Sequence, residues 1–207
     1  MGIYEKHLFP FLLDKQMSRP NYAQERPIAL REARGKILEI GFGTGLNLAY
    51  YPDQVSSIVG LDVNPGMNKK AQQRAEASNI KVELACLNGE TLPFDNASFD
   101  TVISTWTLCS IDNLPAALAE IHRVLKANGQ FLFMDHGLGE SKHVQRLQHR
   151  LTPVQKVIGC GCRLNVPIDT AITCAGFRIE NLERFVLEGA LTPLSASIYR
   201  GKALPIK

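Results

Sequence analysis

The 207-residue sequence predicts an α/β fold, a doubly wound, seven-stranded, mainly parallel sheet with an antiparallel last strand. Three observations predict it. From Lys36 onward, short apolar runs alternate with segments of helical period. A turn with three alternate glycines, Gly41, Gly43 and Gly45, joins the first run to a helix. The last two strand candidates follow one another without a helix between them, so they pair antiparallel.

In chain order, residues 1–19 read as an amphipathic helix or pair of helices. Ile3, Tyr4, Leu8, Phe11, Leu12 and Met17 keep helical spacing, and Pro10 marks a kink or junction. Pro20 to Arg34 reads as a second helix, with Pro27 near its start. Strands are expected at 36–40, 57–63, 81–87, 99–105 and 130–135. Helices are expected near 46–50, 65–77 and 115–125. Asn128-Gly129 supplies a turn before the fifth strand. Beyond Gly137, Val144, Leu147, Leu151 and Val154 sit at helical spacing, with a break expected where Thr152-Pro153 resembles an N-cap and first-turn proline. A helix over 167–175 ends at Gly176, and strands follow over 178–187 and 195–203. The organisation expected is a single domain over 1–207. It comprises a helical cap (1–34), a ligand-binding core (35–137), a lid (138–166), and a last helix with its antiparallel strands (167–207).

Composition narrows the function. A net charge of +3 is too small for a nucleic-acid surface. No apolar run is long enough to span a bilayer, and no signal-peptide pattern is present. Five irregularly spaced cysteines argue against a disulfide framework and for a reducing cytoplasm. The mixed charges of the first helix (Glu5, Lys6, Asp14, Lys15 and Arg19) suit a solvated face, leaving at most weak membrane-surface contact.

The chemistry gathers at strand ends. Glycines leave backbone bare in the turn Glu39–Asn47, so a flat or anionic ligand can lie against it. The spacing is G-x-G-x-G, not the G-x-G-x-x-G of dinucleotide sites. Glu39, an acid at the end of a buried strand, needs a partner, and a cationic ligand would supply one. Asp62 ends the second strand 21 residues after Gly41, where a carboxylate can accept from both ribose hydroxyls, or simply cap the helix that follows. Ser104 and Thr105 end the fourth strand, at the edge where such sheets bind ligands. Trp106 either lines the cleft or packs. Asp135-His136 ends the fifth strand, and the histidine suits proton transfer or is satisfied by loop backbone. Cys160-Gly161-Cys162 lacks the second ligand pair a zinc site needs, so no metal is expected and free thiols are the default reading. The locally basic 141–163 reads as a solvated face or an attractor of an anionic acceptor.

Glu39-x-Gly41-x-Gly43-x-Gly45 resembles motif I of the class I S-adenosylmethionine-dependent methyltransferases, in the methyltransferase type 11 domain. The resemblance extends over roughly residues 35–205, through Gly60-Leu61-Asp62-Val63-Asn64, Asn88-Gly89-Glu90-Thr91-Leu92-Pro93-Phe94 and Glu120–Lys126. It implies the Rossmann-like fold, S-adenosyl-L-methionine as cofactor, S-adenosyl-L-homocysteine as product, and a small-molecule acceptor bound by a monomer or homodimer. Carried over by position, the cofactor residues are Glu39, Gly41, Phe42, Gly43, Gly45, Asn47, Asp62, Val63, Met67, Asn88, Gly89, Glu90, Ser104 and Thr105. Met67 would pack on the nucleoside, or is a plain core residue. Asn88 stands where the family has an aspartate facing the adenine amino group; its amide oxygen can still accept. His136 and Asp135 fall at the methyl face as base and orienting acid. Residues 138–166, with the N-terminal helix, become the acceptor lid. The segments 102–111, 133–137 and Gly161–Asn165, with the turn Ala175-Gly176-Phe177, resemble the methyltransferase-like thiol S-methyltransferases. Those carry a hydrophobic anchor that is not read here, so a soluble, cytoplasmic relative is expected. Quinone-type C-methyltransferases, arsenite methyltransferases, and a sensor or scaffold without turnover remain the alternatives.

Overall fold

β1 (Ile37–Ile40) is buried at all four residues, which fits a central strand covered on both faces. In the computed structural model, which describes residues 2–206, it pairs in parallel with β2 (Ser57–Leu61) and with β4 (Phe99–Thr105). β3 (Lys81–Ala85) flanks β2, and β5 (Leu125–His136) flanks β4, both in parallel. β6 (Phe177–Val186) and β7 (Ser197–Pro205) close the far edge antiparallel, giving the order β3-β2-β1-β4-β5-β7-β6. The expected doubly wound sheet is therefore the observed one. Its strand order reverses between β1 and β4, and the crevice beyond their carboxyl ends is where ligands bind in such sheets. The two terminal residues of the expected 1–207 domain, Met1 and Lys207, lie outside the described residues.

Alternation along the strands sorts the core into two layers. Val102 faces a cluster with Leu38, Phe131, Phe133 and Phe177, while its neighbour Ile103 faces Leu30, Ile37, Phe42 and Leu132. α5 (Leu114–Val124) covers the first layer with the stripe Leu114, Ala117, Leu118, Ile121 and Val124, all buried. The Asn113 side chain accepts from Ala116 N at its start. α7 (Ile168–Cys174) adds Ile168 and Ile172 to that layer, and Gly176 follows at φ +84°, as a helix-ending glycine should. α4 (Asn68–Glu76) packs through Ala71 on the other face.

Four local expectations are corrected. Pro20 to Arg34 is two short helices, α2 (Pro20–Ala23) and α3 (Arg26–Leu30), because Pro27 has no N–H to continue a helix and instead sits in the first turn of a new one. The stretch Leu46–Tyr50 is a 3₁₀ turn. Asn128-Gly129 does not precede β5. It lies within a bulge of that strand, between the pairs Phe99–Leu125 and Thr101–Gln130. Finally α6 (Lys142–Ile158) runs unbroken through Pro153. The Thr152 hydroxyl caps nothing. It donates to Gln148 O and accepts from Leu164 N, which ties the helix to the loop that follows.

The N-terminal segment opens with a π-helical turn, Tyr4–Leu8, and continues as α1 (Phe9–Met17), with Pro10 in the first turn as the junction. Among the described residues, no helix is long and apolar enough to cross a membrane.

Candidate functional site

The glycine turn is pinned to the end of β2. Gly41 N and Phe42 N both donate to Leu61 O at 2.8 Å, and Gly43 N donates to Asp62 Oδ2 at 2.8 Å. Asp62 Oδ1 accepts from Asn64 N at 2.8 Å. Burial raises the Asp62 pKa, and these two backbone donors oppose the rise. Two amides take part of the carboxylate's accepting capacity, which leaves lone pairs for a ligand's hydroxyls. Gly41 has φ +76°, and a Cβ there would lie 1.9 Å from Thr107 Oγ1. Gly43 has φ +57° but nothing beyond the Gly41 carbonyl within 4 Å of where a Cβ would stand. The turn is thus tight at Gly41 and open above Gly43.

Glu39 is 1 % exposed and already has partners. Asn47 Nδ2 donates to Oε1, and the Tyr51 hydroxyl donates to Oε2, each at 2.7 Å. Asn47 also donates to Thr105 Oγ1 at 2.9 Å and accepts from the buried Arg26 guanidinium at 2.6 Å. Burial pushes Glu39 up to about 7 against these donors and the nearby Arg26 charge. The fold itself thus supplies in part the partner that the sequence requires for Glu39. Its uncommitted feature is charge, which sits at the midpoint of titration near neutral pH.

The N-terminal segment lies against this turn. Asp14 on α1 accepts from Thr44 Oγ1, Lys70 Nζ and Arg74, each at 2.6 Å. Its hydrogen bonds to Arg74 and Lys70 outweigh burial and hold its pKa at about 2. Asn64 Nδ2 donates to Glu5 O at 2.9 Å, and Tyr4 donates to Ile158 O at 2.7 Å. One segment thus touches the glycine turn, the loop after β2 and the end of α6.

At the carboxyl ends of β4 and β5, several buried polar atoms have no partner: Ser104 Oγ, Trp106 Nε1, Asp135 Oδ1 and His136 Nδ1. Such atoms are rare in a folded interior. Trp106 itself packs edge-on against Tyr22, with ring centroids 5.3 Å apart. Asp135 does not hold the His136 ring, as the sequence reading had it. Its Oδ2 accepts from Cys109 N at 3.2 Å, because adjacent strand residues point to opposite faces. His136 Nε2 lies 3.1 Å from Cys162 Sγ, and Cys109 Sγ donates to Cys162 Sγ at 3.8 Å. Hydrogen bonding from Cys109 and His136 overcomes burial and lowers Cys162 to about 4. Burial acts to lower His136, but the bond to Cys162 outweighs it and raises the ring. Cys109 is raised by its bond to Cys162 and by burial.

The remaining expected residues separate clearly. Met67 is buried at the start of α4, and Gly89 is buried with Ile40 Cγ2 3.0 Å from its would-be Cβ. Asn88 is exposed, and Glu90 accepts from Asn113 N at 2.9 Å, ahead of α5. Phe42 turns away from the crevice into the core, its ring filling the space left by Gly60. Val63 is 61 % exposed, on the surface between two loops. Asn47 and Thr105 are bonded to each other and to Glu39's network. Sequence reasoning missed Asp14, Arg26, Tyr51 and Cys109, and it treated Cys162 only with Cys160. The partners of Cys162 stand 26 and 53 residues away, on two other elements, so no local spacing reveals them.

The family described as "Methyltransferase domain" matches residues 38–133. Thiol S-methyltransferase TMT1B of Rattus norvegicus is 35% identical over 133 residues, covering 62% of this chain and 54% of that protein. The chain thus spans about half the length of that relative in the match. Thiol S-methyltransferase TMT1B of Homo sapiens is 31% identical over 173 residues, covering 77% of this chain and 70% of that protein. The structure of the Burkholderia thailandensis 1,6-didemethyltoxoflavin-N1-methyltransferase with 1,6-didemethyltoxoflavin and S-adenosylhomocysteine superimposes with a TM-score of 0.67. That likeness covers 97% of this chain and 88% of that one and, at 15% identity, concerns the fold.

Proposed function

The chain belongs to the class I S-adenosylmethionine-dependent methyltransferases, and we propose that within that family it methylates the sulfur of a small, lipophilic thiol. S-adenosylmethionine is the cofactor, and the residues present suit it. Asp62 keeps free lone pairs beside the glycine turn, the space over Gly43 is open, and Ser104 Oγ is buried without a partner. In this reading Asp62 holds the ribose, Gly43 and Gly45 give bare backbone to the amino-acid part, and Gly89 and Asn88 border the adenine. Glu39 supplies negative charge beneath a cationic ligand. When bound, the cofactor supplies an electrophilic methyl group on a sulfonium.

The observation that carries the acceptor class is the contact between His136 Nε2 and Cys162 Sγ at 3.1 Å. It gives the carboxyl end of β5 a wall whose imidazole faces sulfur. An acceptor sulfur entering beside it meets a polar group suited to hold it as it loses its proton. Asp135 positions the loop of Cys109 and leaves the ring free to turn. Much of the rate then comes from aligning the acceptor and excluding water. The thiol S-methyltransferase names of the two TMT1B relatives support the same class.

The test is release of S-adenosylhomocysteine by the purified protein with alkyl thiols, phenols, amines, quinone precursors and arsenite. A lipophilic thiol is expected to give the highest kcat/KM. Turnover of a carbon, oxygen or nitrogen acceptor with none on any thiol would reject the reading. Cofactor binding without turnover of any acceptor would make the protein a sensor.

A further inference from the structure

Cys109, His136 and Cys162 come from three elements: the 3₁₀ turn Leu108–Ser110 after β4, the end of β5, and the loop between α6 and α7. Their ligand atoms all lie within 4.8 Å of one another. Cys160, the other half of the C-x-C pair, is not among them. The second ligand pair that the sequence lacks is thus supplied from elsewhere in the fold. We infer that Cys109 Sγ, Cys162 Sγ and His136 Nε2 form a three-ligand site for a soft divalent cation, Zn²⁺ by donor chemistry, with its fourth position open.

The distances suit that cation. Two thiolates bound at about 2.3 Å in a tetrahedron stand about 3.8 Å apart. Cys109 Sγ and Cys162 Sγ are 3.8 Å apart with no ion between them. A thiolate and an imidazole nitrogen on the same ion would stand about 3.6 Å apart, and His136 Nε2 is 3.1 Å from Cys162 Sγ. A small turn of the ring therefore brings the third donor into place. Two sulfurs and one nitrogen favour zinc over magnesium or calcium, which take oxygen. Three protein ligands with a vacant fourth are the pattern of a working zinc site, whereas structural sites are closed by four.

The surroundings are fixed as a metal site needs. Cys109 N donates to the buried Asp135 carboxylate. Arg163 N and Nε both donate to Cys109 O, at 3.0 and 3.2 Å, locking the two cysteine-bearing loops together. Cys162 is half-buried, so the cluster has an approach from outside. The use of the fourth position rests on the thiol reading above. It is the place for the acceptor's sulfur, bound as thiolate with its proton released to solvent. With Nε2 on the ion His136 acts as a ligand, and only without the ion as the base. Binding of the ion itself does not depend on that reading.

The experiment uses the full chain, stripped with a chelator, kept reduced without thiols, and titrated with Co²⁺ as a spectroscopic stand-in for Zn²⁺. One equivalent should give thiolate-to-cobalt charge transfer and the visible bands of tetrahedral cobalt, displaced by Zn²⁺. Cys109→Ser, Cys162→Ser and His136→Ala should each weaken uptake at least about a hundredfold, since even outer-shell changes cost 10–100-fold. Cys160→Ser should bind as wild type. S-adenosylhomocysteine affinity and a thermal melt confirm that each variant is folded. Absence of a cobalt spectrum in wild type, or unchanged affinity in Cys109→Ser and Cys162→Ser, would overturn the site. A lipophilic thiol added to the cobalt protein should shift the charge-transfer band. Cobalt binding with no such shift keeps the metal site and rejects the thiol at its fourth position. Thiol turnover by a protein that takes up no cobalt does the reverse.

Discussion

Asp62 and Glu39 make the sharpest claims at the scale of single residues. Hydrogen bonds to a charged group contribute about 1.5–3 kcal/mol, so Asp62→Ala should weaken S-adenosylmethionine binding by at least about tenfold. Unchanged affinity by calorimetry in a folded variant removes Asp62 from the ribose site. Glu39 gives a pH signature. Its pKa of about 7 without ligand lies above the carboxylate norm because it is buried. A cation bound near it favours the ionised form, so binding below pH 7 must expel a proton. Affinity should therefore rise from pH 6 to pH 8, by up to about tenfold per unit below the pKa. Calorimetry in buffers of different ionisation enthalpy should show proton release, and Glu39→Gln should abolish it. A flat pH profile in wild type would place the ligand's charge away from Glu39. His136→Ala should keep cofactor affinity and lower turnover roughly a hundredfold, in the range of general acid–base effects. Turnover within about threefold of wild type on the best acceptor, from pH 6 to 9, would leave proximity as the whole mechanism. Glu39, Gly41, Asp62 and His136 were legible in the sequence because each belongs to a short motif at a strand end. Their partners Tyr51, Arg26 and Cys162 were not, because a hydrogen-bond partner is chosen by the fold. Phe42 shows the converse: sharing a motif with Gly41 did not turn its side chain out of the core.

At the scale of elements, the N-terminal segment is tied to more than the acceptor side that the sequence reading assigned to it. α1 reaches the glycine turn through Asp14 and Thr44, while the turn before it reaches the loop after β2 through Glu5 and Asn64. Removing residues 1–17 should therefore weaken S-adenosylmethionine binding as well as transfer; loss of transfer alone would confine the segment to the acceptor side. Asp14 is its main tie. Its folded pKa of about 2 lies below the 3.8 of an unperturbed aspartate. Its contribution is thus complete above about pH 4 and lost as the pH falls through about 2. Asp14→Asn should cost about 1–2 kcal/mol in urea unfolding at pH 7, after discounting for the partly exposed Lys70 and Arg74. The difference from wild type should shrink toward pH 2, where Asp14 is itself protonated. Strands were the most legible elements: β4 was read at its observed limits, because Phe99, Thr101, Val102, Ile103 and Thr105 concentrate aromatic and β-branched residues in one short run. The helix break at Thr152-Pro153 was misread because local chemistry favours a cap there. The bond from Thr152 to Gln148 O lies within the helix, and the one Thr152 accepts from Leu164 N arises only once the loop after α6 has folded back.

For the whole molecule, the N-terminal segment ties together the glycine turn, the loop after β2 and the end of α6, so a ligand held at the glycine turn binds the folded chain and not the unfolded one. Binding must then raise stability by RT ln(1 + [L]/Kd), about 2.7 kcal/mol at a hundred times Kd. In a chain of this size, 1 kcal/mol moves Tm by roughly 2–4 °C. S-adenosylmethionine or S-adenosylhomocysteine at that excess should therefore raise Tm by roughly 5–10 °C. NADH should leave it unchanged. The G-x-G-x-G spacing separates the two, since a dinucleotide turn places its third glycine one residue later to admit a pyrophosphate at a helix start. Here Gly45 leads into the short 3₁₀ turn Leu46–Tyr50, and Tyr51 beyond it is committed to Glu39. Among the described residues, no long helix starts from this turn to face a second phosphate. Asp62→Ala should lose most of the shift while its own melt without ligand stays close to wild type, because the carboxylate's two backbone bonds are local and exchangeable for water. A shift with NADH equal to that with S-adenosylmethionine would mean that the crevice recognises only the adenosine the two share. Methyl transfer would then have to be shown by product alone.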